Sequence, residues 1–359
     1  MLDTVLGLFW NRRERRLRAF WRLFGFVALT VLAALLVGAV FLAGVVRSVL
    51  VGVGFGAGSV GLLLNTTVSA LATVVAVAVA ALLLDRRRVA DFGLGLDRDW
   101  WVDLGFGLAL GAGLMTVVFL LELAAGWVRV TGTFDGGTTG FLVGFVGILV
   151  VFLFVGFYEE LVARGYLLTN VAEGLAGYVG TNGATAVAVL VSSALFGLAH
   201  FGNPNATLLS TFNVGLAGVM LALGYVLTDE IAIPVGLHIT WNFFQGVVYG
   251  FPVSGTGGFA KVLVVEQGGP ALLTGGSFGP EAGLLGVGAM ALGSAAIVWW
   301  CDRRYGRRSV HPGLTTPDLR WRGAGDEDGG GSANDADDAG DAGDASDDTR
   351  RVEPEETAD

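Results

Sequence analysis

The sequence predicts an all-α polytopic membrane protein with about eight transmembrane helices and a disordered acidic C-terminal tail. Of its 359 residues, 53% are hydrophobic and only 15% are charged, whereas about a quarter of a soluble domain is charged. Several apolar runs approach the length that crosses a bilayer. A backbone in lipid must satisfy its own hydrogen bonds, so these runs are predicted to be helices.

The predicted spans come from apolar runs that end at charged or glycine-rich segments. They cover about residues 20–46, 67–84, 101–124, 140–171, 183–201, 206–227, 231–249 and 282–300. Residues 1–19 would form a basic cytoplasmic N-terminus and residues 20–310 the helical bundle. Arginine clusters at the predicted inner ends place both termini in the cytoplasm and make this a multi-pass cell-membrane protein.

Two glycine-rich segments give weaker signals than the spans. Residues 48–66 are compatible with a loop or a partial helix, and residues 250–280 read as a loop that holds a short apolar piece from Lys261 to Val265. Small residues such as glycine also allow membrane helices to approach closely. Neither segment is assigned a span.

The negative charge of the chain lies in its C-terminal segment. Residues 326–359 contain 14 acidic residues and two arginines, so the rest of the chain has a charge of about +2 within the total of −10. Residues 311–359 are poor in apolar side chains and are therefore predicted to be disordered. An acidic chain with Lys261 as its single lysine also suggests a halophilic, haloarchaeal source.

The main functional signal follows the apolar run Gly140 to Val155, where Glu159, Glu160 and Arg164 occur close together. Ionisable groups at such a position are expected to face a bundle interior or a wet cavity and to be functional. Adjacent helical residues point about 100° apart, so the two glutamates face different sides. Because Glu160 and Arg164 are four residues apart with the acid first, they are expected to pair, which leaves Glu159 facing the cavity.

Two of the three histidines, His200 and His238, lie in or beside predicted spans. His238 and Asn242 are four residues apart and share a helical face. An imidazole and an amide can donate hydrogen bonds to a developing oxyanion, and a carboxylate beside an imidazole can hold and deprotonate a water. Glu159, His200 and His238 are also possible ligands of a divalent metal such as zinc. The set therefore predicts peptide hydrolysis by activated water, with or without a metal.

Other reactive or polar residues are not expected to take part in the chemistry. Glu122, near the outer end of the third span, is expected to be solvated or interfacial, and Cys301 to be structural or incidental. His311 lies in the inner tail with no expected role. The bundle has no G-x-S-x-G or H-E-x-x-H motif and no plausible nucleophilic cysteine, which argues against a covalent acyl-enzyme.

Three motifs of this chain resemble those of the CPBP intramembrane proteases, a family that includes type II CAAX prenyl endopeptidases and bacteriocin-immunity proteins. The motifs are Glu159-Glu160-x-x-x-Arg164, Phe196-x-x-x-His200 and His238-x-x-x-Asn242, within about residues 140–250. The resemblance implies that Glu159 activates water with assistance from His200. It also implies that His238 and Asn242 stabilise the oxyanion, while Glu160 and Arg164 shape the site.

The leading hypothesis is an intramembrane endopeptidase in the lipid bilayer that acts on a prenylated protein or on a peptide segment of another protein, with no nucleic-acid partner. A non-proteolytic scaffold or immunity protein with the same fold stays open as an alternative. So does a proton-coupled transporter, because Glu and His chains also mark proton pathways.

One geometric difficulty accompanies the leading hypothesis. Counted along the predicted spans, Glu159 and His200 lie at different depths, so they can meet only if a helix is kinked, broken or begins deeper.

Overall fold

A computed structural model describes residues 2–42, 45–52, 57–136, 140–306, 308–317 and 319. Its α-helices are α1 Leu2–Phe9, α2 Ala19–Leu42, α3 Val45–Gly52, α4 Ala57–Ala80, α5 Arg98–Ala124, α6 Phe141–Glu160, α7 Thr169–Ala199, α8 Leu208–Thr228, α9 Ala232–Phe243, α10 Ala271–Thr274 and α11 Leu284–Tyr305. The strands are β1 Trp10–Asn11, β2 Arg16–Leu17, β3 Val128–Asp135 and β4 Lys261–Gln267. Segments of π-helix extend α4 (Ala81–Asp85), α6 (Leu161–Leu168) and α9 (Phe244–Val248), and short 3-10 helices occur at Val89–Phe92, Gly276–Phe278, Pro280–Ala282 and Pro312–Thr315.

Six helices in the described part of the chain are long and apolar enough to cross a membrane. The longest of them, Phe141–Ala199, has 59 residues and is interrupted at Gly180, whose φ of 70° and ψ of 169° are not helical. With the two arms counted separately, and with α9 and its π-helical extension added, the apolar segments correspond to the eight predicted spans. The predicted fold class, an all-α polytopic membrane protein, is confirmed.

The break at Gly180 explains how Glu159 and His200 reach the same depth. Glu159 lies 21 residues before Gly180 and His200 lies 20 residues after it. The side chains of Glu159 and His200 approach within 4.0 Å, so the chain between them must reverse direction. Because the two arms contain nearly equal numbers of residues, the reversal returns His200 to the level of Glu159. Glycine suits this position because it adopts a positive φ without a steric penalty.

The second span starts earlier than predicted. Helix α4 begins at Ala57, not at residue 67, and residues 45–52 form the separate helix α3, while residues 53–56 are outside the described ranges. Thr67 lies within this helix, and its hydroxyl donates to the carbonyl of Leu63 at 2.7 Å. A hydroxyl satisfied within its own helix is compatible with a helix interior.

Residues 250–280 contain more structure than a loop. Strand β4 pairs with β3 in an antiparallel ladder that runs from Val128↔Gln267 to Asp135↔Lys261. The Gln267 amide donates to Glu122 Oε2 at 2.7 Å, and Glu122 is completely buried. The expectation of a solvated or interfacial Glu122 was therefore wrong, because a strand from a distant part of the chain covers it.

Helix α9 lies directly against α5 through glycines on both helices. A Cβ atom at Gly107 or Gly111 would meet the backbone of α9, and one at Gly236 would meet the backbone of α5. Such contact between backbones requires residues without a side chain at the crossing. The crossing fixes the position of α9, which carries His238 and Asn242.

The described structure continues past the predicted boundary at residue 311. The 3-10 helix Pro312–Thr315 buries Leu314, and the backbone N–H of His311 donates to the carbonyl of Val226 at 2.8 Å. The His311 ring accepts from the N–H of Gly313 at 3.2 Å, so it has a local capping role that the sequence did not indicate. Cys301 is buried. The predicted disordered tail lies, from residue 320 onward, outside the described residues.

Candidate active site

A buried ion pair follows the end of α6. Arg164 Nη1 lies 3.0 Å from Glu160 Oε1 and 2.8 Å from Oε2, and neither side chain is exposed. Arg164 Nη2 donates to the carbonyl of Gly218 in α8 at 2.8 Å, and the guanidinium lies 4.5 Å from the centre of the Phe196 ring. The pairing agrees with the spacing of Glu160 and Arg164 in the sequence, and it joins α6 to α7 and α8.

His238 is held by the same carboxylate. Its Nδ1 lies 2.8 Å from Glu160 Oε1. An ionised carboxylate can only accept, so Nδ1 carries the hydrogen and donates it. The other nitrogen, Nε2, lies 4.0 Å from Glu159 Oε2.

His200 has an equivalent arrangement at the end of α7. Its Nδ1 lies 2.8 Å from the backbone carbonyl of Phe196. A carbonyl cannot donate, so Nδ1 again carries the hydrogen. In the neutral imidazole, Nε2 is then an acceptor, and it lies 4.0 Å from Glu159 Oε2.

Glu159 differs from Glu160 in its surroundings. Its side chain is 21% exposed, and its Oε2 atom is buried without a hydrogen-bond partner among the described residues. A buried carboxylate oxygen without a partner is unfavourable, so it is expected where a protein binds water or substrate. The carboxylate therefore faces the cavity, as predicted for the acid that Arg164 does not pair with.

The cavity beside these residues has a volume of about 590 Å³. Its polar end contains the side chains singled out in the sequence, namely Glu159, His200, His238 and Asn242. Half of the other lining residues have apolar side chains and come from α4, α6 and the segment before β4: Leu62, Leu63, Ile148, Val151, Phe152, Val155, Val253, Phe259 and Ala260. The cavity thus combines polar side chains suited to hydrolysis with apolar side chains along α6.

Sequence reasoning missed a second group of polar residues in this wall. Asn203 and Ser254 line the large cavity, and Glu281 lines a smaller one of about 40 Å³ that also borders His200 and Asn242. Asn203 follows His200 by three residues, which was the only local signal. Ser254 and Glu281 lie in glycine-rich segments outside the predicted helices, where residue spacing does not predict which side chains share a face.

The comparisons with known proteins agree with the location of the site. Residues 141–244 match the family model described as Type II CAAX prenyl endopeptidase Rce1-like. No curated protein and no solved structure matches the chain. All six residues singled out in the sequence, from Glu159 to Asn242, lie within the match. The part of the chain that carries the candidate active site is therefore similar to the type II CAAX prenyl endopeptidases.

Proposed function

We propose that this protein is an intramembrane endopeptidase that hydrolyses a peptide bond of a prenylated or apolar peptide with a water activated by Glu159 and His200. The observation that carries the proposal is that both histidine rings approach the Glu159 carboxylate at the polar end of the cavity. Nε2 of His200 and Nε2 of His238 each lie 4.0 Å from Glu159 Oε2. Convergence of this kind is expected of a general base and its partners.

The distance between Glu159 and His200 suits a single bridging water. A separation of 4.0 Å is too long for a direct hydrogen bond but short enough for one water to bridge. The carboxylate and the neutral His200 Nε2 are both acceptors, so a water between them would donate both hydrogens and direct a lone pair at the substrate. Glu159 would accept one proton as the water attacks the carbonyl, and would then deliver it to the leaving amine.

His238 and Asn242 would stabilise the oxyanion of the tetrahedral intermediate. This role requires a hydrogen on His238 Nε2 in addition to the one that Nδ1 donates to Glu160. Both ring nitrogens of His238 face carboxylates, Nδ1 toward Glu160 and Nε2 toward Glu159, and carboxylate oxygens accept a hydrogen from either nitrogen. Asn242 lies one turn further along α9 and borders the same cavity.

The same donor set is chemically suitable for zinc. Glu159, His200 and His238 are ligand types that zinc accepts, and both histidines are oriented through Nδ1, as is common for zinc-binding histidines. As they are placed, however, no three His, Cys, Asp or Glu side chains within the described ranges lie together in a way that could hold a metal ion. A zinc ion held by these residues would polarise the peptide carbonyl. It would require His238 Nε2 without a hydrogen, whereas the oxyanion role requires one there.

The substrate proposal follows from the apolar lining of the cavity along α6. This lining suits an isoprenoid chain or an apolar peptide segment, and a prenylated C-terminal peptide offers both an apolar group and a nearby scissile bond. The description of the matched family supports the prenylated class. Arginine clusters at the inner ends of the predicted spans support a cytoplasmic location of both termini.

The test uses purified protein in detergent with a quenched fluorogenic farnesylated peptide and its unprenylated counterpart. Glu159→Gln keeps the size of the side chain but cannot act as a base. We expect kcat to fall by about 10²–10⁴, the usual contribution of general base catalysis, with an unchanged melting curve. Glu266→Gln is the control, because Glu266 lies on β4 with 64% of its side chain exposed. Substantial turnover by Glu159→Gln would overturn the assignment, and equal cleavage of both peptides would overturn the prenyl preference.

A further inference from the structure

A tight turn from Val253 to Thr256 forms part of the wall of the active site. The two residues exchange backbone hydrogen bonds, with Val253 N 2.9 Å from Thr256 O and Thr256 N 2.8 Å from Val253 O. The central residues, Ser254 and Gly255, have φ values of 47° and 78°, which is the pattern of a type I′ turn. Ser254 borders both the large cavity and the smaller one behind His200.

Ser254 is an unusual residue for its position. The first central residue of a type I′ turn is commonly Asn, Asp or Gly, because other residues are strained at positive φ. Strain of this kind persists only where the surroundings hold it. Here both backbone groups of Ser254 are held by side chains. Its N–H donates to Glu281 Oε1 at 2.5 Å, and its carbonyl accepts from Asn203 Nδ2 at 3.0 Å.

Glu281 is the centre of this arrangement. It lies in the 3-10 helix before α11, is only 5% exposed, and accepts a second hydrogen bond from the side chain of Gln245. Burial raises the pKa of Glu281 to about 7, and hydrogen bonds from its own backbone N–H, from the N–H of Ser254 and from Gln245 oppose this rise. Gln245 also donates to the carbonyl of Pro252 at 2.6 Å, so the start of the turn is held by the same pair.

These contacts tie the turn to both histidine motifs. Asn203 follows His200 by three residues, and its N–H donates to the His200 carbonyl at 3.1 Å. Gln245 follows Asn242 by three residues in the π-helical extension of α9. The backbone of the turn is therefore held by residues that closely follow His200 and Asn242 in the chain.

We propose that Ser254 contacts the peptide substrate and that Glu281 is its positioning residue, an inference that rests on the proposed function. A hydroxyl both donates and accepts. Ser254 lines the same cavity as Glu159, His200 and Asn242, so its Oγ can accept a hydrogen bond from a donor in the cavity. The backbone N–H of a peptide bound in an extended conformation is the donor that this geometry suits.

The test compares Ser254→Gly and Ser254→Ala in two assays. One is the kcat and KM for the farnesylated peptide. The other is the Kd of that peptide, measured by fluorescence anisotropy in a Glu159→Gln background. Loss of one neutral hydrogen bond predicts a rise in KM and in Kd of about 10-fold for both variants, with little change in kcat. The melting temperature of Ser254→Gly should equal or exceed that of the wild type, because glycine relieves the strain.

A purely structural role of the turn predicts a different result. Ser254→Gly would then bind and cleave like the wild type, and this outcome overturns the inference even if Glu281→Gln fails to fold. If Glu281→Gln folds, its KM should rise as in the Ser254 variants, whereas Glu266→Gln should not differ from the wild type. A wild-type protein that binds the peptide without cleaving it overturns the proposed function alone, since the Kd comparison still tests Ser254. A wild-type protein that neither binds nor cleaves the peptide overturns both.

Discussion

Loss of the Arg164 guanidinium should destabilise the protein by about 3–5 kcal/mol, the usual effect of removing one partner of a buried ion pair. The side chain is completely buried, and its Nη1 lies within 3.0 Å of both oxygens of Glu160. Arg164→Met keeps much of the volume but leaves the carboxylate charge uncompensated. The Gly218 carbonyl also loses the hydrogen bond from Nη2.

A double-mutant cycle separates this charge effect from packing. Glu160→Gln combined with Arg164→Met removes both charges of the pair, and the carbonyl oxygen of the introduced amide can still accept from His238. The double variant should therefore be more stable than Arg164→Met alone, with a coupling energy of about 1–3 kcal/mol, as found for residues in contact. If the two substitutions acted independently, their changes in the free energy of unfolding would add and the coupling energy would be zero.

The assay is denaturant unfolding in detergent micelles, followed by tryptophan fluorescence. Arg308→Met is the matched control, because 75% of the Arg308 side chain is exposed and it pairs with Asp302 at the surface. Surface pairs of this kind contribute about 0–1 kcal/mol. If Arg164→Met unfolds at the same denaturant concentration as the wild type and loses only activity, the reasoning is refuted and Arg164 acts on the substrate.

Two further predictions concern the oxyanion and the packing of α9. Asn242→Ala should lower kcat by about 10²–10³, as for loss of one oxyanion donor, with no change in the zinc content measured by elemental analysis; stoichiometric zinc that is lost in His238→Ala would assign His238 to a metal instead. Gly111→Ala should lower both the melting temperature and kcat, because its Cβ would meet the backbone of α9 at Leu237. Gly113→Ala, on the same helix with no atom within 4 Å of its added Cβ, should be neutral or stabilise by up to about 1 kcal/mol through helix propensity.

Several features of this protein were determined by local sequence alone. Apolar runs of bilayer length predict membrane helices because lipid offers the backbone no hydrogen bonds. The pairing of Glu160 with Arg164 and the shared face of His238 and Asn242 also follow from the helical period. These predictions needed no knowledge of distant contacts.

The meeting of Glu159 with His200 depended on tertiary structure. It requires a chain reversal at Gly180, but the sequence contains 57 glycines, and small residues are equally common inside membrane helices. No local pattern distinguishes this glycine from those that pack helices together. The equal lengths of the two arms become meaningful only when the site of the break is known.

The burial of Glu122 and the contacts of Ser254 also depended on tertiary structure. Glu122 is buried because Gln267 of β4 reaches it from 145 residues away. Ser254 is positioned by Glu281 and Asn203, which lie 27 and 51 residues from it. Both arrangements join residues of different segments through side-chain hydrogen bonds. Helical and strand periods relate only neighbours within one element. The sequence therefore determined the helices and their polar motifs, whereas the packing of distant segments decided which other residues lie beside them.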